Sequence, residues 1–279
     1  MSTAATPNQS PFVALRVSDR DGTGAGLDRA LRRWDGGSVL ARGLDLVWIV
    51  LAALFLILPL SAVVSAGISG LFLLKPAVWM AALTSVLVSA LSTVLLLILA
   101  LPMAAAVAMG RSTLIEISGI LGLAASPLVI GTGLFIVIYP FADPFALALP
   151  VTALVNAVMA LPFALRILRP AAAQIEAEHG RLADSLDLRG WARLRWLMLP
   201  RLGRPLGFAA GLTGALAMGD LGVITLFADP DTATLPLQMY RLMGAYRMEQ
   251  AAGAALLLLI LSFGLFWIFD RGGRANADA

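Results

Sequence analysis

The chain has 279 residues, of which 59% are hydrophobic and 13% charged, with a net charge of +3; that balance excludes an ordinary soluble domain and fits a polytopic membrane protein. Cysteine is absent, which excludes disulfides and thiolate metal sites, and a single histidine, His179, leaves no histidine pair for catalysis or metal binding. The basic surplus does not point to nucleic acid, because it is almost all arginine placed at the borders of apolar segments, with no separate basic domain.

Residues 1–43 are polar and glycine-rich and contain the stretch RALRRWDGG from Arg29 to Gly37. They read as a cytoplasmic tail with a short interfacial helix. The first apolar stretch begins too late and runs too long for the core of a cleaved signal peptide. Six apolar stretches follow, at about 44–66, 78–108, 114–139, 148–167, 206–227 and 250–269. Most reach the roughly 20 residues needed to cross hydrocarbon, and together they predict an all-α protein with six transmembrane helices. The second is long enough to tilt or project from the bilayer, and Pro102 is placed to kink or end it.

Arginine placement sets the expected orientation. Arg29, Arg32, Arg33, Arg42, Arg111, the run from Arg166 to Arg204, Arg271 and Arg274 fall on one side, and Lys75, Arg241 and Arg247 on the other. Positive charge concentrates on the cytoplasmic side, so both termini are expected there, with a membrane domain over 44–270 and a short tail over 271–279.

The chain lacks the parts needed to hydrolyse ATP itself. A phosphate-binding loop needs a glycine cradle and a lysine, and the one lysine, Lys75 in FLLKPAV, has no glycine beside it. No EF-hand loop, HExxH or Gly-x-Ser-x-Gly pattern occurs either. An intramembrane enzyme would need polar groups converging at depth. Asp45, Glu116 and Asp270 lie near segment ends, Asn156 is a lone amide, and Asp220 alone lies well inside a predicted span. One carboxylate without a base or metal partner is weak support for catalysis, and no cofactor is expected.

Between Pro170 and Pro205 the transmembrane character is lost but helical spacing persists. Leu182, Leu186, Leu194 and Leu197 recur among Arg181, Asp184, Asp187, Arg189, Arg193 and Arg195. The pattern predicts a short helix, a bend near Leu188 to Gly190, and an amphipathic helix from Trp191 to Leu199. Two readings stand side by side: an interfacial helix on anionic lipid with Trp191 and Trp196 as belt residues, or a docking element for a soluble partner. Next, Gly207, Gly211, Ala215 and Gly219 form a stripe of small residues along the fifth span, which suits close helix packing. Asp220 lies beside it, roughly 20 Å from the cytoplasmic end at 1.5 Å per residue, where an acid faces protein or a water-filled cavity; Arg241 or Arg247 could pair with it. The connection ADPDTATLPLQMYRLMGAYRMEQ predicts a short helix after Pro236, lying on the bilayer surface or serving as a gate.

The charged stretch resembles the cytoplasmic EAA loop of type I ABC importer permeases, whose pattern is Glu-Ala-Ala, three residues, Gly and a later Leu-Pro. Counted back from Leu199-Pro200, Arg181, Leu182 and Ala183 stand at the Glu-Ala-Ala positions and Asp187 at the glycine; Ala183 and the Leu-Pro agree. The stretches SLDLRGWARLRWLMLPRLGRPL, AMGDLGVITLF and TLPLQMYRLMGAYR, taken together, resemble the thiamine ABC transporter permease family over about 44–270. The similarity is to the C-terminal half of that family's usual chain, which carries two six-helix halves, so the chain would be a split subunit, a fragment or a homodimeric variant.

The resemblance implies a bacterial inner-membrane permease that works with cytosolic ABC ATPase subunits, an extracytoplasmic substrate-binding protein, and a second permease half or a copy of itself. It implies that the loop, about 170–205, carries a coupling helix over 181–200. Leu182, Leu186 and Trp191 would be its apolar anchors and Arg189 and Arg193 its polar rim, with Ala183, Asp187, Gly190, Leu199 and Pro200 completing the element. The fifth helix lines the passage in this family, which assigns Gly211, Ala215, Gly219 and Asp220 to the translocation path. Tyr240, Arg241, Tyr246 and Arg247 become candidates for an outer gate or binding-protein contact. The implied substrate is thiamine or its phosphates, and the cationic charge of thiamine gives Asp220 a chemical rationale. Iron(III) or a polyamine on the same architecture, or an ion-coupled secondary transporter, are the alternatives.

Overall fold

The computed structural model describes residues 38–110, 119, 122, 125–227 and 233–277, and the regular elements among them are all helical. The chain divides into two units, residues 1–48 and 49–279. The described part of the first is the opening of helix α1 (Val39–Leu71), where Ser38 Oγ accepts the Ala41 N–H at 3.2 Å and satisfies one of the free donors at the helix start. Of the predicted tail over residues 1–43, residues 1–37 lie outside the described residues, and the rest is not tail, since α1 has begun by Val39.

In the second unit, α2 (Pro76–Ala108) starts with a proline in its first turn, where the missing N–H costs nothing, and continues through Pro102 without ending. After α3 (Pro127–Ile138) comes α4 (Ala148–Ser185), which runs through Pro162 and Pro170 as one helix. The short helix expected after Pro170 is therefore the end of this long one. A turn leads to α5 (Gly190–Arg193), a wide π-helical turn (Leu194–Met198) and Leu199–Arg201. Next come α6 (Gly203–Met218), α7 (Ile224–Phe227), α8 (Leu235–Gly244) and α9 (Met248–Ala277).

Four helices, α1, α2, α4 and α9, are long and apolar enough to cross a membrane, and α3 is a shorter apolar helix. Of the third predicted span, most of residues 114–124 lies outside the described residues. The fifth is interrupted: α6 stops at Met218, and a turn through Gly219 to Val223 precedes α7. The cause is local. The Asp220 carboxylate accepts the Gly222 N–H at 3.1 Å, a side-chain bond that competes with helix continuation between two glycines.

The core lies where α2 packs on α4 and α6, and α6 on α9. It is rich in alanine: Ala100, Ala104, Ala157, Ala160, Ala164 and Ala172 are buried together with Leu96, Leu168 and Met198. In lipid there is no hydrophobic drive to separate leucine from its surroundings, so small side chains that let backbones approach decide the packing. Two buried hydroxyls join α2 to its neighbours: Ser89 Oγ donates to the Gly214 carbonyl at 2.6 Å, and Ser85 Oγ accepts the Leu235 N–H at 2.7 Å. Helix α1 buries Gly67 and Gly70, at which it meets α9.

Candidate functional site

The loop over 181–200 is built from the end of α4. Leu188 N–H donates to the Ala183 carbonyl at 2.9 Å and Asp187 N–H to the Asp184 carbonyl at 3.1 Å, the paired bonds that close a helix on a left-handed residue. That residue is Asp187, at φ 52. It occupies the position that the resemblance assigns to glycine, and the geometry gives the reason: glycine enters this region without cost, and aspartate is among the few side chains that tolerate it. Leu188 then packs on the core beside Ala183, and Gly190, at φ 53, turns the chain into α5.

Arg193 is the centre of the loop. Its Nη1 donates to Asp184 Oδ1 at 2.6 Å, its Nε to Glu176 Oε2 at 3.2 Å, and its Nη2 to Glu176 Oε1 and to the Gly180 carbonyl. The residue is 7% exposed. The hydrogen bond to Asp184 is the main influence holding its pKa above the ordinary value, with Glu176 adding to it, against the opposing pull of burial. Arg193 does not stand on a polar rim as the resemblance implies; it is turned inward, because three successive turns of α4 present a carboxylate, a bare backbone and a second carboxylate at Glu176, Gly180 and Asp184. A Cβ at position 180 would stand 3.1 Å from Arg193 Nη2, so glycine there leaves the guanidinium room. Glu176 and Gly180 were not foreseen as functional, although their spacing of four with Asp184 was visible.

The wide turn carries Leu194, Leu197 and Met198 into the core, and an extra residue in a helical turn shifts the face that follows. Leu182, Leu186 and Trp191 are 59%, 63% and 72% exposed. Arg189, Gly190, Leu199 and Pro200 are exposed as well, whereas Ala183 is buried. Arg189 pairs with Asp187 at 2.7 Å in the open, where such a pair contributes little.

The glycine stripe of α6 divides. Gly207 and Gly211 are buried against α9, where added Cβ atoms would stand 2.6 Å from Gly273 Cα and 3.0 Å from the Phe266 ring, while Ala215 is half-buried and Gly219 exposed. Gly211 thus packs against a helix of its own chain. Asp220 is half-buried beyond the helix end: its Oδ1 takes the Gly222 N–H, and its Oδ2 is buried without a partner. Asn156 of α4 lies beside it, and its Nδ2 is likewise buried. On α8, Leu235, Leu237 and Leu242 are buried while Tyr240 projects; Tyr246, at φ 57, and Arg247 are exposed and Arg241 is half-buried.

No protein-family model matches the chain. It is 36% identical over 255 residues to the thiamine transport system permease protein of Brucella abortus, covering 89% of this chain and 47% of the relative. The corresponding protein of Escherichia coli is 35% identical over 237 residues, 81% of this chain and 44% of the relative. That of Salmonella typhimurium is 35% identical over 246 residues, 84% and 46%. The chain therefore belongs among the relatives of the thiamine transport system permeases, and it spans about half the length of those it matches.

Proposed function

We propose that the chain forms one half of the membrane passage of a thiamine importer, pairing with a second half or with a copy of itself. The observation that carries the reading is the match to thiamine permeases over nearly all of this chain. Energy would enter through loop 181–200 from cytosolic ATPase subunits, since the chain has no phosphate-binding loop of its own. Both termini would then lie in the cytoplasm.

Two features of the loop support that role. Its exposed Leu182, Leu186 and Trp191 offer apolar anchors to a groove, and clustered anchors of this kind dominate binding. Arg193 braces the segment that carries Trp191 to the last turns of α4, so a push on the loop moves a membrane helix as a rigid body instead of bending the connection. Substrate received from an extracytoplasmic binding protein, with Tyr240, Arg241, Tyr246 and Arg247 on the receiving side, would pass Asp220, whose carboxylate can stabilise a cation at depth. Ala215 and Gly219 line the same face, and Gly211 supports it from behind. No covalent step occurs in this chain. Purification from native membranes tests the assembly: an ATPase subunit recovered with the chain supports it, and its loss on Leu186→Asp with Trp191→Asp assigns the contact to the loop. A chain that purifies without any ATPase would overturn the reading.

A further inference from the structure

The arginines of the charged loop fall into two groups. Arg189 pairs with Asp187, and Arg193 with Glu176 and Asp184, so the first half of the loop neutralises its own charge. From Leu188 to Gly219 the sequence holds no acidic residue, and Arg195 and Arg201 make no ion pair with a described carboxylate. The segment that carries these two is one-sided. Leu194, Leu197, Met198 and Leu202 are buried in the core, whereas Arg195, Trp196, Leu199 and Arg201 are exposed. Burial of the first set fixes the second on the outside. There the Arg195 guanidinium stands 5.6 Å from the Trp196 ring centre, a cation held on an aromatic face.

A second pair of the same kind marks the level at which this surface lies. On α9, Ile260, Phe263 and Trp267 are exposed at spacings of three and four, one apolar stripe along a helix long enough to span a membrane. The stripe ends at Arg271, whose guanidinium sits 5.3 Å from the Trp267 ring centre and has no carboxylate partner among the described residues. Apolar residues, then tryptophan, then a cation is the order met on leaving a bilayer, because tryptophan concentrates at the headgroups. The loop returns at that level. Leu199–Arg201 packs on α9, and a Cβ on Gly273, two residues past Arg271, would stand 2.5 Å from the Gly203 carbonyl oxygen.

We propose that Arg195, Trp196 and Arg201 of the loop, with Trp267 and Arg271 of α9, rest on the anionic headgroups of the membrane, leaving the ATPase contact to Leu182, Leu186 and Trp191. Basic residues beside a spanning helix are drawn to anionic lipid, and the exposed indoles suit the same depth. A soluble partner would reach these side chains only by displacing lipid from beside α9. The lipid contact depends on the chain lying in a membrane; only the division of labour within the loop rests on the function proposed above.

The full chain, purified with whatever subunits accompany it and reconstituted into bilayers, tests this through quenching of Trp196 fluorescence. The probes are phosphatidylglycerol and phosphatidylcholine brominated near the glycerol end of their chains, and the Trp196 signal is the difference between the parent and Trp196→Phe. Brominated phosphatidylglycerol is expected to quench more strongly. Arg195→Gln and Arg201→Gln should each reduce that preference about fivefold, the contribution of one arginine near an anionic surface, and added salt should reduce it in the parent. Trp267, isolated in the same way through Trp267→Phe, should stay quenched in both arginine variants, which separates loss of lipid contact from damage to the fold. Equal quenching by the two lipids, or a preference unchanged in both arginine variants, would overturn the proposal. So would a Trp196 that lipid reaches only after ATPase subunits are stripped away, by assigning the surface to the ATPase. The lipid preference is read whether or not an ATPase accompanies the chain, so this proposal and the proposed function fail separately.

Discussion

Asp187 shows how a departure from a family pattern can preserve its geometry. The left-handed turn after α4 needs a residue that accepts positive φ, and the chain supplies aspartate at φ 52. Asp187→Gly should leave stability unchanged or raise it slightly, whereas Asp187→Val should cost about 1–2 kcal/mol, the penalty of placing a Cβ-branched residue in this region. Thermal melting of the purified chain measures both, and a valine variant as stable as the parent would show that the turn is not held in this form. On the proposed function, Asp220 is the residue whose role depends on charge. Asn at that position can still accept the Gly222 N–H, so Asp220→Asn should assemble normally and yet import thiamine well below the parent rate. Full-rate uptake into vesicles would remove Asp220 from the path. That Asp220 lies in an apolar run was legible; its neighbour Asn156 was not, because proximity between distant segments leaves no trace in local spacing.

Between elements, the bend near Leu188 to Gly190 and the return through Leu199-Pro200 followed directly from Gly190, the leucine spacing and the prolines. The inward turn of Arg193 did not, since a long charged side chain on an amphipathic segment looks the same whether it faces water or a pair of carboxylates. Arg193→Met would leave Glu176, whose side chain is 19% exposed, without its partner. Destabilisation of about 2–3 kcal/mol is expected, below the 3–5 of a fully buried pair because the cluster borders water and Asp184 is mostly exposed. Adding Glu176→Gln should recover part of the loss; strictly additive effects in that cycle would mean that the two side chains do not interact. The stripe on α6 was legible as a pattern but not as two different surfaces. Gly207→Ala places a methyl against the α9 backbone, which cannot rotate away, and should cost about 1–3 kcal/mol as overpacking. Gly219→Ala, whose nearest neighbour would be 3.7 Å away, should be nearly neutral to stability. Equal melting temperatures for the two variants would contradict the division of the stripe.

At the scale of the whole molecule, composition made the membrane class plain, and helical content followed from it. The number and continuity of spans were less legible, because hydropathy cannot register a break such as the one after Met218, where glycines and a side-chain bond end a helix within an apolar run. The exposed apolar residues of the loop are a surface that one chain does not cover, consistent with a part that works in a larger assembly. The central claim is that this chain couples thiamine passage to ATP hydrolysed elsewhere. Its most direct test is the ATPase rate of the purified assembly in lipid, with and without thiamine-loaded binding protein. The rate should rise when loaded binding protein is added, and Arg193→Met should reduce that rise more than the basal rate. An assembly whose ATPase ignores the loaded binding protein, or that takes up thiamine without ATP, would contradict the account.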